Sequence, residues 1–405
     1  MKKKGNKVFV AMSGGVDSSV AAALLIKQGY DVIGAHMKCF NVDGCAERDA
    51  EDARRVAEQL KIPFYVFDFE KEYKERVVDY MIKGYKSGIT PNPDVMCNKE
   101  IKFGLFFEKA RKLGADFVAT GHYVRLRRTT IDKKQLTIDK TGQAVGQMSN
   151  VKCQMSLCTA RDLNKDQSYF LWTLTQKQLA HCLFPIGEYT KPRVRVLAKK
   201  FGLLTAVKKD SQGICFLGQV SIRDFLKQYI KPKKGNVLLA PAVIPANAGI
   251  QKRQGPAKMD SGSEAGMTSQ RVVGTHEGAH LYTIGQRHGF GVGGLATPHY
   301  VISKDLKKNT ITIAPENHPS LYQKEITLTE VNFIRPSQMS KVNGQMSVMA
   351  RVRYRQPLAS AMFYKLKAKS YKLVFDKPQK FVAAGQSAVF YDVRGEMLGG
   401  GIIVV

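Results

Sequence analysis

The feature that most constrains the fold is a short apolar strand that runs directly into a loop of serine and glycine and then into a helical pattern. The predicted strand covers residues 7–12, the loop begins Ser13-Gly14-Gly15, and the predicted helix covers residues 18–28. Glycine lets the backbone turn tightly and bring its N–H groups close to an anion, and the start of the helix adds positive partial charge there. The segment therefore predicts a phosphate-binding loop; the alternative is a turn that only caps the helix.

The first third of the chain alternates predicted strands with predicted helices. Such alternation is typical of a parallel sheet that carries helices on both faces and binds ligands at the carboxyl ends of its strands. The further predicted strands cover residues 31–37, 64–69 and 117–120, and the further predicted helices cover residues 46–60, 71–86, 99–113, 167–183 and 193–201. Residues 123–160 are polar and basic, which predicts a hairpin or a loop.

The last third of the chain has a different pattern, in which short alternating runs are separated by turn residues. This pattern is typical of a small antiparallel barrel. The runs cover residues 300–303, 310–314, 350–354, 371–375 and 387–391. We therefore expect an α/β protein with a parallel-sheet nucleotide-binding domain at residues 1–217, a small central domain at 218–297 and a C-terminal β-barrel domain at 298–405. Residues 238–270, rich in Ala, Pro, Gly and Ser, are predicted to be a disordered insert.

The chain is strongly basic, with 63 lysines and arginines against 34 acidic residues and a net charge of +29. An excess of this size attracts polyanions, nucleic acid first, although a merely solvated surface is the alternative. The basic residues cluster at 125–128, 191–195, 199–200, 208–209, 231–234 and 351–355. No window has the length and hydropathy of a membrane span, and the first apolar run is too short for an export signal. We therefore expect a cytoplasmic protein.

The seven cysteines are odd in number and contain no C-x-x-C pair, which argues against a disulfide framework and a zinc ribbon. We expect no dedicated metal site. Cys39, Cys45, Cys153, Cys158 and Cys182 are predicted to be small buried side chains. Cys97 and Cys215 instead stand among Pro, Asn, Asp and Gly, which favours exposed loops. Cys97 also precedes a helix predicted to start near residue 98, where a thiolate is favoured.

Several segments in the same order resemble one family. The segment 13–18 resembles the pyrophosphate (PP) loop of N-type ATP pyrophosphatases, which adenylate an oxygen and then let a nucleophile displace AMP. Residues 90–99, 121–123, 164–170, 210–216, 353–356 and 385–390 narrow the resemblance to the bacterial tRNA-specific 2-thiouridylases. It runs from about residue 7 to the C-terminus and lapses at 129–159 and 238–270.

The resemblance implies that ATP, with Mg²⁺ on the nucleotide, adenylates C2 of the wobble uridine of a tRNA. Sulfur then displaces AMP to give 2-thiouridine. It assigns Cys215 as the persulfide carrier and Cys97 as the nucleophile on that persulfide, which leaves a Cys97–Cys215 disulfide to be reduced. Asp94 is assigned as acid or base, against the alternative of a simple turn residue.

The loop and the resemblance together give two sets of predicted binding residues. The predicted nucleotide-binding residues are Ala11, Met12, Ser13, Gly14, Gly15, Val16, Asp17, Ser18, Met37 and Gly121. The predicted RNA-binding residues are Asn92, Pro93, Asp94, His122, Lys165, Asp166, Gln167, Arg353, Tyr354 and Gln386. The implied partners are the anticodon arm of tRNA and a cysteine desulfurase or sulfur-relay protein, and we expect a monomer that does not bind membranes.

Two other functions fit parts of the pattern. Another adenylating enzyme on the same scaffold, such as an amidating synthetase or a lysidine-type tRNA synthase, would use the loop but would need no paired thiols. An ATP-responsive RNA-binding module would bind nucleotide and RNA without releasing pyrophosphate. Substitution of Cys97 and Cys215 separates the first from sulfur transfer, and pyrophosphate release separates the second.

Overall fold

The computed structural model describes residues 5–40, 42, 44–131, 137–138, 144–145, 152–210, 217–218, 220–241, 271–335, 344–366 and 370–404. Most of the predicted insert at 238–270 lies outside these residues. Within the described ranges, every helix is too short or too polar to span a lipid bilayer.

A parallel sheet of five strands forms the centre of the N-terminal part, in the order β3-β2-β1-β4-β9. Its strands are β1 (Lys7–Ala11), β2 (Asp31–Lys38), β3 (Phe64–Asp68), β4 (Phe117–Thr120) and β9 (Cys182–Leu183). Between β4 and β9 lie the paired strands β5 (Arg125–Ile131) and β8 (Lys152–Cys158) and the short pair β6 (Thr137–Ile138) and β7 (Ala144–Val145). The prediction of a hairpin in this region is confirmed. Because β1 lies between β2 and β4, the loop after Ala11 leaves the sheet at its centre.

Helices cover both faces of this sheet, as the alternation predicts. They are α1 (Val16–Lys27), α2 (Cys45–Gln59), α3 (Glu70–Tyr73), α4 (Asp79–Lys86), α5 (Pro93–Met96), α6 (Phe107–Lys112), α7 (Gln176–Leu179) and α8 (Lys191–Lys200). π-helical segments join α3 to α4 (Lys74–Val78) and α5 to α6 (Cys97–Phe106). The apolar side of α1 packs in one core with Val8 and Val10, while Phe103 and Phe106 pack in a second core with Phe9. Since neighbouring strand residues point to opposite faces, β1 separates the two cores.

The predicted helix at 167–183 is wrong. The segment contains a 3₁₀ turn (Ser168–Leu171), the short helix α7 and the strand β9. Thr175 starts a new helix there, because its hydroxyl accepts the N–H of Gln178 while the Gln178 side chain accepts the N–H of Thr175. The apolar residues that suggested one helix are buried separately, with Leu171 and Leu174 both inaccessible to solvent.

Two further sheets follow. The second sheet has the order β11-β10-β13-β12 and the third is a closed barrel with the order β14-β17-β16-β15-β18-β19. Their strands are β10 (Gly235–Leu239), β11 (Arg271–His276), β12 (His299–Asp305), β13 (Thr310–Pro315), β14 (Tyr322–Phe333), β15 (Gln345–Arg351), β16 (Ala359–Lys365), β17 (Tyr371–Lys380), β18 (Ser387–Tyr391) and β19 (Met397–Val404). The helix α9 (Ile222–Lys227) precedes them, and 3₁₀ turns occur at Leu204–Val207, Ala279–Leu281 and Pro319–Leu321.

The predicted barrel is confirmed, but not all of its predicted strands belong to it. The runs at 300–303 and 310–314 pair in the second sheet, where β13 runs parallel to β10. Alternation identifies a strand but not its partner, so the sequence did not separate the two sheets. Leu238 and Leu239, predicted to open the insert, are the end of β10. The three-domain division stays a prediction, and the strand pairing favours a second border between residues 315 and 322.

Aromatic residues form part of the contact between the barrel and the N-terminal part. The Trp172 indole N–H donates to Ser387 Oγ at 3.0 Å, and the Tyr169 hydroxyl donates to the Ser387 carbonyl at 2.8 Å. Gly400 on β19 leaves room for Trp172, since a Cβ there would lie 2.6 Å from the indole ring. Because Gly400 has no side chain, β19 of the barrel can pack directly against Trp172 of the N-terminal part.

We expect Gly400→Ala to destabilise the protein by roughly 1–3 kcal/mol, because the added methyl group overpacks the Trp172 contact. The measurement is the midpoint of thermal unfolding, which should fall by several degrees. Gly293→Ala is the matched control, since a Cβ at Gly293 meets no described atom within 4 Å. Equal midpoints for the two variants would contradict this account of the interface.

Candidate functional site

The loop after β1 has a shape that only glycine allows at one position. Gly14 has φ +71°, and a Cβ there would lie 2.3 Å from the carbonyl oxygen of Asp49. The N–H of Ser13 donates to the Ser18 hydroxyl at 3.2 Å. The Ser18 hydroxyl in turn donates to the Gly15 carbonyl, also at 3.2 Å. The loop is thus closed on itself by its own serine before any ligand is bound.

The helix that follows the loop begins without a side-chain cap. Its N-cap is Gly15, and no described side chain caps the first turn. The N–H groups of a first helical turn have no partner within the helix, so they are available to an anion. Gly121, at the end of β4, approaches this turn so closely that a Cβ would lie 2.7 Å from the Ser18 nitrogen. The predicted nucleotide residues of the loop and Gly121 are therefore brought together, and Met37 lies on the adjacent β2.

Asp17 in this first turn is the centre of a partly buried network that the sequence did not predict. Lys191 Nζ lies 2.8 Å from both Asp17 carboxylate oxygens, and the Tyr123 hydroxyl donates to one of them at 2.8 Å. Lys191 also lies 2.8 Å from Asp210. Lys191 is only 8% exposed, so this member of the predicted basic cluster at 191–195 faces the interior rather than RNA.

Asp210 is held by three cations at once. The Nζ atoms of Lys165 and Lys191 and a guanidinium nitrogen of Arg195 lie within 2.8 Å of its oxygens. Burial raises the pKa of Asp210, but the hydrogen bonds from Lys165 and Lys191 outweigh it and lower the pKa to about 2. The carboxylate is therefore ionised at neutral pH.

Cys97 is not where the sequence placed it. The helix begins at Pro93, with Asn92 as the N-cap whose Oδ1 accepts the N–H of Val95 at 3.2 Å. Asn followed by Pro at the first helical position is a start signal, one turn earlier than the predicted start near residue 98. Cys97 is consequently inside a helix and 4% exposed, so the expectation of an exposed loop is wrong for it. Asp94 lies in the first turn and is half-buried.

The prediction of small buried side chains is confirmed for two of the remaining cysteines and not for Cys39. Cys158 and Cys182 are buried, as predicted, and burial raises the pKa of both thiols. Cys39 is half-buried. Cys215 lies outside the described residues, as do the side chains of Cys45 and Cys153. Within the described part of the chain, no three His, Cys, Asp or Glu side chains are grouped to hold a metal ion.

Several predicted RNA-binding residues make hydrogen bonds inside the protein. His122 is 6% exposed, with Nδ1 lying 2.6 Å from Thr120 Oγ1. Gln167 Oε1 accepts the N–H of Tyr123 at 2.9 Å. Asp166 is 2% exposed and forms an ion pair with Arg351 at 2.5 Å. Lys165 pairs with Asp210, as described above. A role of these residues in RNA binding stays a prediction.

Of the predicted RNA-binding residues of the barrel, Tyr354 and Gln386 contact the N-terminal part, whereas Arg353 bonds to Phe381 within the barrel. Arg353 Nε donates to the Phe381 carbonyl at 2.8 Å, and Tyr354 packs on Phe170 with ring centroids 4.5 Å apart. Gln386 Nε2 donates to the Thr90 carbonyl at 2.9 Å. The last contact fixes the irregular segment that leads into the helix of Asp94 and Cys97, so the barrel helps to position that helix.

A cleft lies between that helix and the barrel. The helix side contributes Asn92, Val95, Met96 and Lys99, and the opposite wall includes Trp172, Glu330 and Ser387. Glu330 has φ +49°, a strained backbone for a residue other than glycine. The cleft thus combines apolar and aromatic walls with a carboxylate and an ammonium group.

His36 is a site residue that the sequence gave no reason to choose. It lies on β2 and is 5% exposed, and its Nδ1 lies 2.9 Å from the carbonyl oxygen of Met12, the residue at which the loop begins. Burial lowers the pKa of His36, so the ring is neutral near pH 7 and braces the loop as a hydrogen-bond donor. A single histidine in an apolar strand carries no sequence signal for this contact.

Comparison with known proteins identifies the family. A family model described as "tRNA methyl transferase HUP domain" matches residues 6–219, "tRNA methyl transferase PRC-barrel domain" matches 254–315, and "Aminomethyltransferase beta-barrel domain" matches 323–403. The tRNA-specific 2-thiouridylase MnmA of Flavobacterium johnsoniae is 43% identical over 98% of this chain and 99% of its own length. The chain belongs to the tRNA-specific 2-thiouridylase family. The tRNA-specific 2-thiouridylase MnmA of Bacillus pumilus is 41% identical over 99% of this chain and 96% of its own length.

The descriptions of the models name methyl transferases, whereas the full-length relatives are named 2-thiouridylases. The identity over almost the whole of both chains decides for the 2-thiouridylase family. The resemblance found in the sequence is thereby confirmed, and with it the α/β fold with a C-terminal barrel. The individual roles of Cys97, Cys215 and Asp94 stay predictions within this family.

We expect acid to destabilise the protein through its buried histidines. Burial holds the pKa of His122 well below its ordinary value of 6.5, with nearby Lys102 adding to the effect, and lowers the pKa of His36 and His276. Below pH 6.5 these histidines bind protons in the unfolded chain but stay neutral in the folded chain until the pH is lower. The free energy of unfolding should therefore fall below pH 6.5, by up to about 1.4 kcal/mol per pH unit for each histidine until the pH reaches the lower pKa of its folded state.

The measurement is the free energy of unfolding in urea at pH 7, 6 and 5. His122→Asn removes one titrating group and keeps a polar side chain near Thr120. In this variant the free energy of unfolding should change less steeply with pH, by an amount that corresponds to about one proton. An unchanged slope in this variant would contradict the assignment to His122.

Proposed function

We propose that this protein uses ATP to adenylate O2 of the wobble uridine of tRNA and then replaces that oxygen with sulfur to give 2-thiouridine, AMP and pyrophosphate. The observation that carries the proposal is the pre-formed glycine loop at an uncapped helix N-terminus, in a chain that matches 2-thiouridylases over its full length. Uridine C2=O is a poor electrophile, and adenylation converts its oxygen into a good leaving group. The loop supplies the anion site which that step requires.

The backbone of this loop can bind the triphosphate of ATP. Gly14 and Gly15 leave the N–H groups of the first helical turn accessible, and Gly121 lets the end of β4 approach that turn. The loop has no lysine of its own, which suits an enzyme that releases pyrophosphate whole. Mg²⁺ would arrive with the nucleotide, because Asp17 is already engaged with Lys191.

In the sulfur step, Cys215 carries the sulfur as a persulfide and Cys97 releases it. The Cys97 thiolate attacks the Cys215 sulfur of a Cys215 persulfide, forming a Cys97–Cys215 disulfide and releasing hydrosulfide. The hydrosulfide attacks C2 of the adenylated uridine, and AMP leaves with the former O2 oxygen. An external thiol then reduces the disulfide. Asp94, half-buried one turn before Cys97, is the proposed acid or base for the proton transfers at the base.

The base turned out of the anticodon loop is proposed to lie near the narrow cleft between the Asp94 helix and the barrel, because Asp94 and Cys97 stand on that side of it. Its aromatic wall at Trp172 offers apolar contact, and Asn92 and Lys99 offer polar contact. The net charge of +29 favours the polyanionic anticodon arm. A cysteine desulfurase or a sulfur-relay protein is the proposed source of the persulfide, and the protein is proposed to act as a monomer in the cytoplasm.

We expect Cys97→Ser to separate adenylation from sulfur transfer. Pyrophosphate release in the presence of tRNA should continue within a few-fold of the parent rate, because the nucleotide loop is untouched. Formation of 2-thiouridine should fall at least 100-fold, because serine cannot attack a persulfide at neutral pH. Pyrophosphate release is measured enzymatically, and the nucleoside by mass spectrometry of digested tRNA. Cys215→Ser should behave in the same way.

Cys182→Ala is the control, since it removes a buried thiol on an edge strand of the first sheet. This variant should still form 2-thiouridine. Full thiolation by Cys97→Ser would overturn the sulfur mechanism and favour another adenylating enzyme on the same scaffold. Absence of pyrophosphate release from the unmodified protein with tRNA and ATP would overturn the proposed function altogether.

A further inference from the structure

Asp166 is a buried carboxylate whose partners are all protein groups. Its side chain is 1% exposed. The N–H of Ala160 donates to Oδ1 at 3.0 Å and the N–H of Ser168 at 3.2 Å, and the Ser168 hydroxyl donates to Oδ2 at 2.9 Å. Three donors from its own loop therefore hold one carboxylate, and Asp166 fixes the path of residues 160–168.

The fourth partner of Asp166 belongs to the barrel. A guanidinium nitrogen of Arg351, on β15, lies 2.5 Å from Asp166 Oδ2. The same nitrogen lies 3.0 Å from Ser168 Oγ and 2.7 Å from the hydroxyl of Tyr391 on β18. Arg351 is 5% exposed. Burial of a charge is costly unless the charge is paired and hydrogen-bonded. Any shift of the barrel that separated Arg351 from Asp166 would leave both charges buried and unpaired, so the pair favours one position of the barrel.

The same loop continues to the nucleotide site. The N–H of Gln167 donates to the Tyr123 carbonyl at 2.9 Å, and the N–H of Tyr123 donates to Gln167 Oε1 at 2.9 Å. The Tyr123 hydroxyl then reaches Asp17 in the first turn after the glycine loop, at 2.8 Å. Ala160 and Tyr123 are buried in the core that contains this helix. A short chain of described contacts thus runs from barrel to phosphate loop.

We propose that Asp166 and Arg351 are positioning residues. Their ion pair fixes the barrel against residues 160–168, and those residues in turn fix the position of Asp17 and the phosphate loop. The inference rests on the proposed use of ATP at that loop. It gives Asp166 a role different from the RNA contact implied by the resemblance. A carboxylate on an RNA surface would repel phosphates, whereas a carboxylate at 1% exposure beside an arginine stabilises an interface.

The test compares Asp166→Asn and Arg351→Lys with Glu325→Gln. The asparagine keeps the shape of Asp166 and loses its charge. The lysine keeps the charge of Arg351 but replaces its guanidinium with a smaller ammonium group, which alters the position of the nitrogen that contacts Asp166, Ser168 and Tyr391. Glu325 forms an exposed ion pair with Lys372 on the same barrel, at 2.9 Å, so its substitution controls for loss of an ion pair as such.

Initial rates of pyrophosphate release are measured at saturating tRNA against ATP concentration, and tRNA affinity is measured separately against salt. We expect KM for ATP to rise at least fivefold in Asp166→Asn and Arg351→Lys, with tRNA affinity within twofold of the parent. Glu325→Gln should leave both unchanged. KM is independent of the amount of active enzyme, so partial unfolding of a variant does not produce the result.

KM for ATP within twofold of the parent in both variants would overturn the inference. A changed tRNA affinity with an unchanged KM for ATP would overturn it in favour of direct RNA contact by Asp166. If the unmodified protein releases no pyrophosphate, the proposed function fails instead. The inference is then tested by calorimetric titration with ATP alone, in which the dissociation constant should rise at least fivefold in the two variants and stay constant in Glu325→Gln.

Discussion

The Asp17 carboxylate in the first turn after the glycine loop is the point on which the arrangement of the site depends. It faces an ammonium group from α8 and a hydroxyl from the end of β4, and each of these contacts measures 2.8 Å. A helix N-terminus attracts anions in general, but here a carboxylate secured by Lys191 and Tyr123 occupies the side of the turn. The uncapped N–H groups are left for another anion, and the loop is closed by hydrogen bonds of Ser18 before that anion binds.

From this point the contacts extend in two directions. Through Lys191 they reach Asp210, where three cations hold the residue that precedes the segment containing Cys215. Through Tyr123 they reach the 160–168 loop and, beyond it, the barrel. The barrel in turn binds the irregular segment before Asn92 through Gln386. The nucleotide loop, the thiol-bearing helix and the barrel are therefore mutually positioned by short polar contacts between partly or fully buried groups.

The sequence predicted the parts of this protein that depend on local pattern. The β1 strand, its glycine loop and α1 were predictable because strand, turn and helix signals follow one another within residues 7–28, and the barrel was predictable from alternation. The burial of Cys97 was not, because composition suggested a loop where the Asn92-Pro93 cap starts a helix early. The pairings of Lys191 with Asp17 and of Asp166 with Arg351 join residues 174 and 185 positions apart. No period in a single sequence reports such distant partners.

The most direct test of the account follows the oxygen that is replaced. A tRNA carrying ¹⁸O at O2 of the wobble uridine is incubated with ATP, a persulfide donor and the protein, and the released AMP is analysed by mass spectrometry. The account predicts one ¹⁸O atom in AMP for each 2-thiouridine formed, because the adenylated oxygen leaves with the phosphate. AMP without the label, alongside 2-thiouridine, would contradict adenylation of O2.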